Sequence, residues 1–348
     1  MSSRPTREAA HAARPLGMRG KLMRAGAVAL AAIALVAAGV LVAAFAIVQQ
    51  GRASALSASA SEGIELFEGA SSDDGGRTIE YGGARYALNE NMVSACFLGF
   101  DRETPSEESA GQADAVIVAA FDLDANDVKL ISVPRESMVD VEMLSPEGTY
   151  GGTATTALCL AYAYGDGKHT SCANTVRAVS NALYGIPIPF YLALDLSGIV
   201  PLNDAVGGVE VTALETIPDS DIEQGQTIRL EGEDARRYVQ WRDEPVLESP
   251  LQRQARQAQY VEAFASQAAS NPAALLDLYQ AAAEHVLTNL SMNELGCLTL
   301  CLAASDASDL DIVTLSGEMR DGASYGEFYL DQAAAYETIL SIYYHPVG

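Results

Sequence analysis

Positive charge is scarce in this sequence. Its 348 residues hold 21 Lys+Arg against 46 Asp+Glu, a formal net charge of −25 at pH 7. Six of those bases (Arg4, Arg7, Arg14, Arg19, Lys21, Arg24) and one acid (Glu8) precede residue 25, so the remainder carries 15 bases against 45 acids. Phosphate backbones need a cationic surface, and so acidic a chain excludes nonspecific nucleic-acid binding. A small cationic pocket is not excluded, and clustered arginines stand out against this background. The four histidines form no metal spacing. None of the five cysteines makes a C-x-x-C pair, which removes zinc and dithiol redox sites. Cys159 and Cys172 flank a polar, Gly-rich stretch and are the candidate disulfide; Cys96, Cys297 and Cys301 read as buried thiols. No internal repeat is evident.

One long apolar run is present. Residues 25–48 are Ala, Val, Leu, Ile, Gly and Phe without a charge, enough for a membrane-spanning helix. The run exceeds a signal-peptide core, which favours a retained anchor. The basic segment 1–24 is expected to stay cytoplasmic and the rest to lie outside the cell membrane as a single-pass protein. Residues 49–85, rich in Ser, Ala, Gly and acids, read as an extracytoplasmic stalk. Residues 86–348 suffice for one α/β domain.

Short apolar runs at Met92–Phe100, Ala115–Phe121, Val128–Val133, Tyr191–Leu196, Val209–Ala213 and Leu310–Leu315 predict strands, the first of them buried. Helical spacing covers Thr155–Tyr164, Cys172–Leu183, Glu231–Trp241, Gln252–Ala269, Pro272–Leu287, Asn293–Ala304 and Asp331–Tyr343. The expected fold is a central mixed β-sheet flanked by helices in α/β/α layers, preceded by the transmembrane helix.

Four clusters carry chemistry: Leu98-Gly-Phe-Asp101, Gly111-Gln-Ala-Asp114, Ser132-Val-Pro-Arg135, and Tyr238-Val-Gln-Trp-Arg242 with Arg253-Gln-Ala-Arg256-Gln257. Open α/β sheets bind ligands at strand ends. Carboxylates there suit Mg²⁺, and arginine forks suit phosphate oxygens. Alone, each fragment reads equally as a turn, a cap or a solvated face.

Their order resembles the LytR–CpsA–Psr family. The same order continues through Ala161-Tyr-Ala-Tyr-Gly165, Tyr184-Gly-Ile-Pro187, Leu202-Asn-Asp-Ala-Val-Gly-Gly-Val209, and Gly232 with Ala235 and Tyr238-Val239. The resemblance implies a transferase of cell wall biogenesis. Such an enzyme moves a glycopolymer from a polyprenyl-pyrophosphate carrier onto peptidoglycan, making a phosphodiester bond. It implies Mg²⁺ on Asp101 and Asp114, catalytic roles for Asp114, Arg135 and Arg242, and substrate binding by Arg253, Arg256 and Gln257. A carboxylate, Asp114 or Asp140, would take the acceptor's proton. A binding module without turnover and a pyrophosphatase are the alternatives; a transcriptional regulator is disfavoured, since only residues 1–24 would face the cytoplasm.

Four positions depart from the family pattern. A Lys and an Asn expected before Ala-Tyr-Ala-Tyr-Gly are Ala157 and Cys159, and two arginines are replaced by Gln112 and Gln240. Lys168 is the candidate substitute for the missing lysine, and Arg177 reads in the same two ways, as a substitute or a solvated side chain; a Cys159–Cys172 staple would replace a lost helix contact.

Overall fold

The computed structural model describes residues 45–348 except 61–62, 101–110, 244–248, 271–277, 279, 282–283, 306–311 and 323–325. Residues 50–348 form one compact unit. Among the described residues no helix is long and apolar enough to cross a membrane; most of the run 25–48 lies outside them.

The strands are β1 (Thr78–Tyr81), β2 (Ala84–Leu88), β3 (Met92–Phe100), β4 (Ala113–Asp122), β5 (Asp127–Ser132), β6 (Met138–Leu144), β7 (Tyr150–Ala157) and β8 (Phe190–Asp195). They continue as β9 (Val209–Thr212), β10 (Thr227–Leu230), β11 (Val286–Thr288), β12 (Ile312–Thr314), β13 (Gly317–Asp321), β14 (Gly326–Leu330) and β15 (Tyr344–Pro346). The helices are α1 (45–59), α2 (His169–Ala182), α3 (Ile199–Ala205), α4 (Glu233–Gln240), α5 (Ser249–Ser270), α6 (Met292–Ala304) and α7 (Gln332–Tyr343).

A six-stranded mixed sheet in the order β11-β8-β3-β4-β5-β12 forms the centre. β3 pairs antiparallel with β4 and parallel with β8. Period-two alternation divides its side chains between two cores. Cys96, Leu98, Val116, Val118 and Ile131 join one cluster with α2 and α7. Val93, Ala95, Ile117, Ala119 and Leu130 join the other with α6 and Ala55 of α1. Both faces are therefore covered, which is why β3, β4 and β5 read as continuous apolar runs. A third cluster joins α3, α4, β9, β10 and part of α5.

Three expectations are corrected. The segment 49–85 is not a free stalk from residue 50 on. Ala55 is fully buried, Ser54 hydrogen-bonds Glu294, β1 pairs with β2, and β2 pairs in turn with β15. Its small residues permit close packing: a Cβ at Gly51 would lie 2.0 Å from the Asn293 carbonyl oxygen. Thr155–Tyr164 is not one helix. Thr155, Thr156 and Ala157 end β7, paired with β6, and a 3₁₀ turn spans Leu158–Ala163. The β-branched threonines favour the strand over the helix that the Ala/Leu content suggested. Finally, all five cysteines are free and buried. Cys172 sits in the core cluster that holds Cys96, whereas Cys159 lines a surface cleft. Burial pushes both the Cys96 and Cys159 thiols up.

Two outcomes follow. Unfolding the protein without reductant should expose five titratable thiols; three would restore the Cys159–Cys172 bridge. Gly51→Val should destabilise the domain by about 1–3 kcal/mol through overpacking against α6, read as a lower denaturation midpoint; an unchanged midpoint would return this segment to a stalk.

Candidate functional site

Four strand ends meet at one edge of the sheet. Phe100 closes β3 opposite Asp195 of β8 and Ala113 of β4, and Ser132 closes β5 opposite Ile117. Asp114 therefore stands at the start of β4, and Arg135 follows β5 after Val133 and Pro134, in a tight turn closed by the Ser137 N–H donating to the Pro134 carbonyl at 3.0 Å. The Arg135 backbone is fixed on both sides: Cys159 N–H donates to its carbonyl at 2.9 Å, and Phe328 N–H donates to that of Glu136 at 3.0 Å. Asp101 lies outside the described residues.

The Arg135 guanidinium has a partner on every edge. It is ion-paired with Asp114, its Nε lies 3.0 Å from Glu136 Oε1, and its Nη2 donates to Gln112 at 3.0 Å. Helix α5 supplies the facing wall. Pro250 fits its first turn, where a missing N–H costs nothing. Arg253 and Gln257, four residues apart, share one face of α5. Arg253 is 8% exposed, with Nη2 4.0 Å from Glu136 Oε1. That buried Nη2 has no hydrogen-bond partner among the described residues. Burial first, and then the neighbouring Arg135, lower the Arg253 pKa to about 10. Gln257 Nε2 donates to the Val239 carbonyl at 3.1 Å, tying α5 to α4.

These residues line a cleft with two adjoining lobes. The first, about 310 Å³, is lined by Asp114, Arg253, Gln257, Gln240 and Leu196. The second, about 290 Å³, is lined by Glu136, Ala157, Cys159, Leu160, Pro250 and Gly326. Gln112, Arg135 and Arg242 border both. The sequence-predicted residues Asp114, Arg135, Arg242, Arg253 and Gln257 are thus brought together. All four departures from the family pattern, Gln112, Ala157, Cys159 and Gln240, also face this cleft.

Other candidates are not brought there. Arg256 is fully buried. It is ion-paired with Glu215, its Nε donates to the Tyr238 carbonyl at 2.9 Å, it bonds the Trp241 carbonyl, and it lies 5.2 Å over the Trp241 ring. Burial lowers its pKa to about 10. Its position on α5, rotated about 60° from Arg253 at 3.6 residues per turn, aims it at α4. Its role is structural: it holds the segment that ends at Arg242. Lys168 is exposed at the start of α2, beside His169, which bonds Tyr191 near the other end of β8. Asp140 is exposed on β6 and accepts from Thr155 at 2.6 Å. Arg177 pairs with Glu142. None of these three lines the cleft. Glu136, directly after Arg135, was the residue missed; its adjacency to the arginine was the available signal.

Mg²⁺ uses one or two carboxylates and completes its shell with water and phosphate oxygens. Asp114 fits as one such ligand, though its carboxylate is shared with Arg135. No group of three metal-ligating side chains exists among the described residues.

The two α5 arginines should separate cleanly. Arg256→Ala leaves Glu215 without its partner and should cost about 3 kcal/mol of stability. Arg253→Ala removes a strained buried charge and should leave the melting temperature nearly unchanged while weakening binding of inorganic pyrophosphate. Equal thermal losses would refute the division of labour.

Teichoic acid transferase TagV of Bacillus subtilis, a polyisoprenyl-teichoic acid–peptidoglycan transferase, is 26% identical over 240 residues, 66% of this chain and 58% of the relative, so the match spans less than two thirds of that protein. TagU of Enterococcus faecalis, of the same description, is 27% identical over 68% of this chain and 75% of its own. The crystal structure of B. subtilis TagV superposes with a TM-score of 0.58 at 24% identity, covering 73% of this chain and 96% of that one. TagT bound to LI-WTA has a TM-score of 0.55 at 21% identity, covering 72% and 89%. Residues 65–341 match the LytR_cpsA_psr family, and the chain belongs to it.

Proposed function

We propose that this protein is a membrane-anchored, extracytoplasmic phosphotransferase that moves a glycopolymer from a polyprenyl-pyrophosphate carrier onto peptidoglycan. The observation that carries the reading is the convergence of Arg135, Arg242 and Arg253 on one cleft, with a buried Arg253 nitrogen that has no hydrogen-bond partner among the described residues. Such a donor gains most from an anion that desolvates with it. The names of the similar transferases support the substrate class.

Phosphoryl transfer is mainly positioning and charge stabilisation. Arg253 would grip a phosphate oxygen through Nη2. Arg135 would exchange Asp114 or Gln112 for another, since both of its terminal nitrogens are otherwise engaged. The acceptor hydroxyl oxygen would form the new bond to phosphorus, and the bond to the carrier's bridging oxygen would break. Polyprenyl phosphate would depart with the electron pair. Asp114 and Glu136 are the described carboxylates of the cleft within reach of the released proton. Mg²⁺, held by Asp114 and, by the family resemblance, Asp101, would neutralise phosphate charge. The apolar run 25–48 would anchor the chain where such a lipid resides.

The four neutral departures at the cleft favour one second reading, a lipid-binding module without turnover. The full chain in detergent, given Mg²⁺, a polyprenyl-pyrophosphate-linked glycopolymer and peptidoglycan, decides between them. Release of polyprenyl phosphate with polymer transfer is expected, and Arg135→Ala should slow it about 10²–10³-fold. Tight donor binding with no release would establish the module; release without transfer would make it a pyrophosphatase.

A further inference from the structure

The two lobes of the cleft differ in what they can hold. The first is lined by three arginines (Arg253, whose buried Nη2 has no hydrogen-bond partner among the described residues, and the shared Arg135 and Arg242) against one carboxylate, Asp114, and suits phosphate. The second shares Arg135 and Arg242 but lacks Arg253, and its carboxylate is Glu136. Glu136 is buried and fixed: its Oε1 lies 3.0 Å from Arg135 Nε, and its carbonyl accepts from Phe328. With one arginine fewer facing the same number of carboxylates, that lobe compensates an anion's charge less than the first does. Its other walls are small or apolar: Ala157 and Cys159, at and beyond the end of β7, Leu160, Pro250 and, from β14, Gly326. A carboxylate among small neutral side chains matches a ligand that donates hydroxyl hydrogen bonds and brings flat apolar faces.

We propose that the second lobe is the acceptor subsite, taking a hydroxyl-bearing sugar ring of a glycan strand, while the first lobe takes the donor's phosphates. The assignment rests on the transferase reading above. Arg135, Gln112 and Arg242 border both lobes. That boundary is where a hydroxyl from one side and a phosphorus from the other would meet. A cleft that must seat two substrates at once needs this kind of division. The small side chains of Ala157 and Cys159 leave room for such a ring.

The test narrows the second lobe from two independent elements. Ala157→Leu enlarges the side chain at the end of β7, and Gly326→Val does so from β14; if one fails to fold by its melting curve, the other carries the experiment. Two quantities are read with the full chain: the KM for each substrate in the transfer assay, and donor-free binding of soluble, uncrosslinked peptidoglycan glycan fragments by calorimetry. Both variants should raise acceptor KM and weaken fragment binding at least tenfold, with donor KM held within about twofold. Arg253→Ala should show the reverse pattern. Unchanged fragment binding in a folded variant, or a donor KM that rises in step with the acceptor's, would overturn the assignment. A wild-type protein that turns over no donor would defeat the transferase reading instead, and fragment binding would still report on the lobe.

Discussion

Three guanidinium groups gathered at the edge of an apolar sheet repel one another, and the architecture of the site follows from holding them there. Arg135 is held by Asp114, Glu136 and Gln112, which come from the start of β4, from its own turn, and from the residue preceding β4. Arg253 is pressed against the same Glu136, and its depressed pKa records burial and the proximity of Arg135. Buried charges persist only when paired and hydrogen-bonded. The backbone around Arg135 is correspondingly rigid, stitched to the 3₁₀ turn at Cys159 and to β14. Preorganisation of this kind removes the reorganisation cost at the moment a phosphate binds.

The third arginine is positioned indirectly. Arg242 follows α4, and α4 is bound to α5 by Arg256, whose donors reach the carbonyls of Tyr238 and Trp241. Two arginines three residues apart on one helix thus do different work. The first lines the cleft, where it would bind the proposed ligand, and the second fixes the segment that carries Arg242. Sequence cannot divide such a pair, because the division depends on where α4 crosses α5. It could identify α5 itself, whose polar and apolar positions keep helical spacing. It could also identify β3, β4, β5 and β8, whose side chains are buried on both faces and so form unbroken apolar runs. The ribbons β6–β7 and β13–β14 escaped notice because they pair outside the central sheet and expose Thr, Gly and charged residues to solvent. The docking of residues 50–85 escaped for a related reason: Ser, Ala and Gly mark a flexible linker and a tightly packed surface equally well.

The departures from the family pattern are informative through their location. Gln112, Ala157, Cys159 and Gln240 are distant in sequence, yet every one reaches the cleft. Each replaces a group by a neutral one, and three of the four remove a positive charge. The result is a pocket whose described charges are three arginines and two carboxylates, close to balance before any ligand or cation arrives.

That near balance sits within a chain of net charge −25, and the combination constrains how an anionic donor reaches the site. Beyond a Debye length of about 8 Å at physiological ionic strength, a pyrophosphate feels screened repulsion from the acidic surface rather than attraction from the cleft. Long-range steering therefore cannot raise its encounter rate. Affinity must come from short-range contacts with desolvated arginines, and encounter frequency must come from elsewhere. Under the proposed function, confinement of enzyme and lipid carrier to one membrane plane would supply it by raising effective concentration without any new contact. The anchor proposed for residues 25–48 and the sparse positive charge of the domain are then two parts of one arrangement: a surface that does not attract soluble phosphates, coupled to a tether that keeps the lipid-linked one nearby.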